Sequence, residues 1–359
     1  MLTVVVGAGR MGHGLGLSYA LGGHDVILVD RDRRVLTQAR GRVEAAAAIL
    51  VDNDLATTGD SRRALERIRF TDDLTEACAA VDLVQETIPE DLREKQVLLG
   101  VVEALVPANA IIATNTSSLR VGALAVGMRR PERLVGLHWV APPYLVPIVE
   151  VVRGGATMEG IVSRAVRILE DVGKVPIVVP DTPGFAVNRL QYALFAAAVD
   201  LVDRGIVGPE QIDLIVRYAM APRQLAFGQF QLFDLIVSGR TVLEVANYLY
   251  AETGDARYQP SPRLAQLVQA GRLGLASGAG WYEYAGDPAD IERQRDRAFA
   301  SAYRALDGLD RQRGADGRGR RDPAVASPSE PVRHQDEAQL GHGPEDEDAD
   351  PHQDHDRPH

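Results

Sequence analysis

One stretch near the start limits what this chain can fold into. Leu2-Thr3-Val4-Val5-Val6 is a nearly continuous apolar run, and Gly7-Ala8-Gly9-Arg10-Met11-Gly12 follows without a spacer. His13 to Leu21 then reads as a helix, and Asp25 to Val29 as a second apolar run ending in Asp30. Apolar runs without polar alternation mark strands buried on both faces of a parallel sheet. G-x-G-x-x-G between such a strand and a helix, with an acid on the tip of the next strand, predicts a dinucleotide cradle. Gly7 allows the tight turn, Gly9 lets the backbone approach the pyrophosphate, and Gly12 lets the helix pack close to the strand. The unpaired N–H groups of the helix N-terminus, with Arg10 and Met11 beside them, face the phosphates. Asp30 is placed to accept hydrogen bonds from the adenosine ribose. Its charge opposes a 2′-phosphate and argues for NAD, whereas Arg31, Arg33 and Arg34 argue for NADP; the expected cofactor is NAD.

The pattern continues downstream. Asp82 to Ile88 reads as a strand running into a loop with Glu90, a helix follows from about Asp91 to Leu105, and Ala110 to Ala113 is the next strand. That strand ends in Thr114-Asn115-Thr116-Ser117-Ser118, another (Leu134 to Leu137) ends in His138, and a last one spans Ile148 to Val152 with Glu150 inside it. Polar residues thus gather at the carboxyl ends of strands read as parallel, where open α/β sheets place ligands. Beyond Pro183-Gly184 the pattern turns helical: Arg189 to Asp203, a segment after Pro209, Asp234 to Tyr250 and Pro262 to Ala270. Leu190, Leu194, Phe195, Ala198, Leu201 and Val202 span more than one helical face, so their helix needs burial against other helices or a second subunit. Residues 51–70 read as a polar helical hairpin in which Arg62, Arg63, Arg67 and Arg69 either grip an anionic substrate tail or form a solvated face.

Charge separates the last segment from the rest. Of the 359 residues and net charge of −11, residues 330–359 hold ten acids against two bases and five of the eight histidines. Without it the body is near neutral, so no nucleic-acid partner is expected. From about residue 305 the chain lacks the apolar side chains needed to offset its entropy and reads as a disordered, acidic, His-rich tail. The irregular spacing of its histidines and carboxylates preorganises nothing, and no metal site is expected. A single cysteine, no basic leader and no apolar stretch of about 18 residues predict a cytoplasmic protein without membrane spans. Lysine is confined to Lys95 and Lys174 against 37 arginines, which gives each lysine some interest.

Taken together, Gly7-x-Gly9-x-x-Gly12, Glu90 with Lys95, Asn115-Thr116-Ser117-Ser118, His138 with Pro142, Glu150, Asp181-Thr182-Pro183-Gly184-Phe185 with Asn188-Arg189, and Gly278-x-Gly280-Trp281-Tyr282 resemble the 3-hydroxyacyl-CoA dehydrogenase family over roughly residues 1–290. The resemblance implies an α/β fold: a Rossmann-type NAD-binding domain with a mainly parallel sheet (1–184), then an all-helical substrate and dimerisation domain (185–300), with the tail (305–359) beyond. It implies that His138 takes the proton of a 3-hydroxyl as hydride leaves C3, that Glu150 holds the imidazole, and that Ser117 and Asn188 bind the reacting oxygen. It places Glu90, Lys95 and Asn115 near the nicotinamide, and it implies a homodimer. Histidine chemistry agrees, since an imidazole accepts or returns a proton at neutral pH and a carboxylate fixes its tautomer. The chain departs from the family at Ala141, where Asn is usual, at Gly228-Gln229-Phe230, at Val237-Ser238-Gly239, and in a closing motif without its lysine. Three readings stay open: a dehydrogenase of 3-hydroxyacyl thioesters on CoA or a carrier protein, a dehydrogenase of a small free hydroxy acid of the gulonate or carnitine type, and a catalytically silent NAD-binding homologue.

Overall fold

The computed structural model describes residues 1–315 and divides by packing into two units, Met1–Ala196 and Ala197 onward. The first unit carries β1 (Leu2–Val6), α1 (Gly12–Leu21), β2 (Asp25–Val29), α2 (Arg33–Asp52), α3 (Thr58–Glu66), β3 (Ile68–Thr71), α4 (Leu74–Cys78) and β4 (Leu83–Glu86). It continues with α5 (Leu92–Leu105), β5 (Ile111–Thr114), α6 (Val121–Leu124), β6 (Leu134–Trp139), β7 (Ile148–Arg153), α7 (Glu159–Asp171) and β8 (Val175–Pro180). The eight strands form one sheet in the order β3-β2-β1-β4-β5-β6-β7-β8. Neighbours are parallel except β6 and β7, which pair antiparallel. Strand order reverses between β1 and β4, the switch point at which open α/β sheets leave a crevice.

The apolar strand runs are explained by helices on both faces. Val5, Leu28, Leu83 and Leu137 pack with α1, α2 and α7 through Leu15, Leu17, Val43 and Ile168. Val4, Ile27, Val84 and Ile112 face the other way, toward Cys78 of α4 and Leu99 and Val102 of α5. Most of these side chains are buried, and each is worth about 1.5–3 kcal/mol of transfer free energy. Helix starts follow from side-chain caps. Asp32 accepts from Arg34 N, Thr57 and Asp60 form a reciprocal box, and Asp73 and Asp91 accept from Glu76 N and Glu94 N.

The second unit is helical. α8 (Val187–Asp203) begins in the first unit and ends in the second; α9 (Pro209–Leu214), a π-helical turn (Ile215–Met220), α10 (Ala221–Ala226), α11 (Gln229–Ile236), α12 (Gly239–Thr253), α13 (Pro262–Gln269) and α14 (Pro288–Ala315) follow. Its buried side chains are sparse, with Leu232, Leu235, Leu264 and Leu267 prominent among them. The buried Asp234 carboxylate accepts from Tyr282 N and Tyr284 Oη, both at 3.1 Å. A Cβ on Gly280 would lie 2.2 Å from the same carboxylate, so glycine is required there.

Four details differ from the sequence reading. β7 runs against β6, so Glu150 is not at a strand's carboxyl end. β3 and β8 were not anticipated, β3 because Arg69 and Thr71 interrupt a short strand and β8 because Pro176 and Pro180 disguise an edge strand. The helix expected over Asp234 to Tyr250 is two helices, broken where Ser238 caps α12 by accepting from Arg240 N. α14 is helical through Ala315, so the tail expected from about residue 305 starts within a helix; 316–359, with the tail histidines, lie outside the described residues. Among the described residues no helix is long and apolar enough to cross a membrane.

Candidate active site

A cleft of about 1350 Å³ opens over the switch point, lined entirely by residues of the first unit, from Val6 to Gln191. Its nucleotide end is built by β1, the glycine loop and β2. Gly7 has φ of +101°, and a Cβ there would lie 2.8 Å from the Thr87 carbonyl oxygen. A Cβ on Gly12 would lie 1.8 Å from the Gly7 carbonyl oxygen, so only hydrogen fits. At Gly9 an added Cβ would meet no atom within 4 Å, and the residue lines the cleft. Backbone therefore borders open space directly in front of the α1 N-terminus, which suits a pyrophosphate. Asp30 closes this end: Oδ2 accepts from Ala8 N at 3.0 Å and Oδ1 from Asp32 N at 3.0 Å. Each oxygen keeps a lone pair free to accept a further hydrogen bond. Arg33 is drawn to Asp72 at 2.6 Å and Arg34 to Asp32 at 3.1 Å, leaving Arg31 of the three arginines on the cleft wall without an ion pair. Asp32 and Asp72 are thus neutralised by arginines, and the charge on this wall that opposes a 2′-phosphate is that of Asp30.

Beneath the middle of the cleft lies a buried charge network. Lys95 Nζ donates to Glu86 Oε1 at 2.6 Å and to the Ile88 carbonyl at 3.1 Å, and lies 3.4 Å from Glu90 Oε2. Lys95 is 1 % exposed and Glu86 is fully buried. Glu86 also accepts from Thr114 Oγ1 at 2.6 Å and Ile88 N at 2.7 Å. Glu90 Oε1 collects Thr116 Oγ1 at 2.6 Å, Ser117 N at 3.0 Å, Ser118 N at 3.1 Å and Ser118 Oγ at 3.0 Å. Burial works to raise the Glu90 carboxyl, but these donors and the Lys95 charge outweigh it and hold it below the usual range. The network fixes the loop after β5. Ser117 O in turn accepts from Asn188 Nδ2 at 2.7 Å, and Asn115 Oδ1 accepts from Trp139 N at 2.9 Å.

The third part is the β6–β7 hairpin. Antiparallel register sets His138 directly across from Glu150. Nδ1 of His138 lies 2.7 Å from Glu150 Oε2, and both residues are buried. A carboxylate only accepts, so Nδ1 carries the proton and Nε2 is the basic nitrogen. Glu150 Oε1 accepts from Ala186 N at 2.7 Å and Val187 N at 3.0 Å, the entry to α8. Burial pushes this carboxyl up; the His138 bond and the two backbone N–H groups more than compensate and keep it low. The Phe185 ring packs 5.6 Å from the imidazole, centre to centre. His138, Ser117, Asn115 and Asn188 share the cleft wall with Val140, Ala141 and Gln191.

Comparison with known proteins fits this geometry. The family model for the 3-hydroxyacyl-CoA dehydrogenase NAD-binding domain matches residues 3–182, and that for the C-terminal domain of the same family matches 184–284. The chain belongs to the 3-hydroxyacyl-CoA dehydrogenase family. It is 35 % identical to a probable 3-hydroxybutyryl-CoA dehydrogenase of Deinococcus radiodurans, over 78 % of this chain and 99 % of that one. It is 30 % identical to the 5-formyl-3-hydroxy-2-methylpyridine 4-carboxylate 5-dehydrogenase of Mesorhizobium japonicum, over 85 % of this chain and 97 % of the other. A crystal structure of the 3-hydroxyacyl-CoA dehydrogenase of Archaeoglobus fulgidus superimposes with a TM-score of 0.73 at 28 % identity, covering 85 % of this chain and 99 % of that one.

As a 3-hydroxyacyl-CoA dehydrogenase family member the chain is an NAD-dependent oxidoreductase. Of the residues singled out from sequence, Gly7, Gly9, Arg10, Met11, Asp30, Glu90, Asn115, Ser117, His138 and Asn188 line the cleft. Gly12 and Glu150 stand directly behind it. Lys95 does not line it, because Glu86 and Glu90 hold its ammonium underneath. Glu86 itself was missed, although a carboxylate at the end of the central strand Leu83-Val84-Gln85-Glu86 is the signal that finds it. The arginines of the 51–70 segment point to the solvated reading: Arg62, Arg63 and Arg67 pair with Glu66, Asp60 and Asp25.

Proposed function

We propose that the chain is an NAD-dependent dehydrogenase interconverting a 3-hydroxyacyl thioester and its 3-oxo form. The observation that carries this is the buried His138–Glu150 pair in a cleft continuous with the glycine loop. Nε2 of His138 accepts the proton of the substrate's 3-hydroxyl. Glu150 holds the imidazole in the tautomer with Nδ1 protonated and stabilises the imidazolium that forms. Ser117 and Asn188, tied together, hold the oxygen that becomes the ketone. Gly7, Gly9, Arg10, Met11, Gly12 and Asp30 hold the cofactor, with Glu90 and Asn115 flanking its nicotinamide end and Lys95 fixing Glu90 from below. NAD supplies the hydride acceptor in oxidation and, reduced, the donor in the reverse direction.

A second reading is a small free substrate in place of a thioester. It is favoured by the likeness to the pyridine-carboxylate dehydrogenase and by Ala141, which puts a methyl group on the cleft wall beside the dyad. Turnover of 3-hydroxybutyryl-CoA, free 3-hydroxybutyrate and 5-formyl-3-hydroxy-2-methylpyridine 4-carboxylate, followed by NADH absorbance, separates the two. His138→Ala is expected to lower kcat by about 10²- to 10⁴-fold while NAD still binds; retained turnover overturns the assignment. We also propose a homodimer. No side chain of α8 is buried, and Leu190, Tyr192 and Phe195 are 73 %, 68 % and 63 % exposed. Such an apolar helix needs a partner surface.

A further inference from the structure

We infer that Lys174 is a positioning residue for the reaction: its ammonium clamps the tip of the β6–β7 hairpin and so holds the arms that carry His138 and Glu150. The inference rests on the roles proposed above for that pair. Lys174 sits in the turn between α7 and β8 and does not line the cleft. Its Nζ donates to the carbonyl oxygens of Pro143, at 2.7 Å, and Val146, at 3.2 Å. The same nitrogen stands 5.3 Å from the centre of the Trp139 ring, the residue next to His138. One cation therefore grips the outgoing arm through Trp139 and the tip through two backbone oxygens.

The cofactor helix holds the tip as well. Ser18 Oγ donates to Pro143 O at 3.2 Å. A Cβ on Gly14 would lie 2.6 Å from Pro143 Cγ, so α1 and the tip are in van der Waals contact along its first turn. Lys174 and Ser18 of α1 thus converge on the Pro143 carbonyl oxygen and together fix the tip against the helix whose N-terminus faces the cofactor. Trp139 N, bonded to Asn115 Oδ1, passes this placement to the loop that carries Ser117. Shifting the tip moves the imidazole relative to both the cofactor and the oxygen-binding pair.

The clamp is a half-buried cation bonded to neutral groups. No ion pair accompanies Lys174 among the described residues, and its partners are carbonyls and an indole face. Burial alone pulls the ammonium down to about 8 from its ordinary 10.5.

Lys174→Met tests the inference, with 3-hydroxybutyryl-CoA and NAD as substrates. The expected result is a fall in kcat of roughly 10- to 100-fold, the scale of a small misplacement of reacting groups. The dissociation constant for NAD should stay within about twofold and the urea midpoint should fall only slightly, as the loss of two hydrogen bonds implies. Lys174→Arg, which keeps a donor to both carbonyls, should recover most of the loss. Unchanged kcat in Lys174→Met overturns the inference. So does a parallel loss of NAD affinity, stability and activity, because the residue is then merely structural. If Lys174→Met does not fold, Lys174→Arg and Lys174→Gln are compared by the same three measurements, and equal kcat in the two overturns it. Absence of turnover in the wild-type protein on any hydroxyacyl thioester is a failure of the functional reading, seen before any Lys174 variant is made.

Discussion

Glu150 answers two demands at one side chain. One oxygen orients His138, and the other satisfies the Ala186 and Val187 N–H groups at the start of α8. Glu150→Gln is expected to lower kcat by about 10²-fold or more, measured by NADH production, because a neutral amide no longer stabilises an imidazolium. The same residue links pH to stability. Its native carboxyl ionises below the ordinary value of 4.5, so the ionised form favours the fold. That contribution is complete above the ordinary value and disappears as pH falls through the lower native one. Urea midpoints of wild type and Glu150→Gln should therefore differ by a constant amount above about pH 5.5 and converge below about pH 4.5. A gap that widens on acidification contradicts this. At Gly12 the argument is steric. Gly12→Ala drives a methyl group into the Gly7 carbonyl and should cost about 1–3 kcal/mol, with weaker NAD binding in a fluorescence titration.

Single elements show how far the sequence could be read. β1, α1 and β2 were legible because a buried parallel strand needs unbroken apolar residues and a pyrophosphate turn needs glycine at fixed places. The hairpin was half legible. His138 and Glu150 stood out as residue types, but whether the eleven intervening residues return antiparallel depends on long-range pairing that no local pattern encodes. The same holds for Asn188, which reaches Ser117 O across 71 positions of chain. Lys95 was visible on α5 but its place beneath the cleft was not, since a helix position does not reveal which carboxylate a long side chain finds. That burial gives a prediction for α5. Lys95→Met leaves Glu86 charged and unpaired inside the sheet, and should destabilise the protein by about 3–5 kcal/mol in urea unfolding, against near-neutral change for exposed Arg93→Met.

For the molecule as a whole, the proposed dimer has a direct consequence. If α8 is covered by a second copy, Leu190→Asp with Phe195→Asp should shift the sedimentation coefficient from dimer to monomer. The wild-type thermal midpoint should rise with protein concentration, as mass action requires. A wild-type chain sedimenting as a monomer at micromolar concentration contradicts it. A separate consequence concerns inheritance of the chemistry. Since every described residue that lines the cleft precedes Ala197, the glycine loop, the proposed acid–base pair and the proposed oxygen ligands occupy one continuous stretch of the chain. Chimaeras joined after α8, beyond Asp203, would trade the downstream helices between relatives while taking the proposed reacting groups from a single parent.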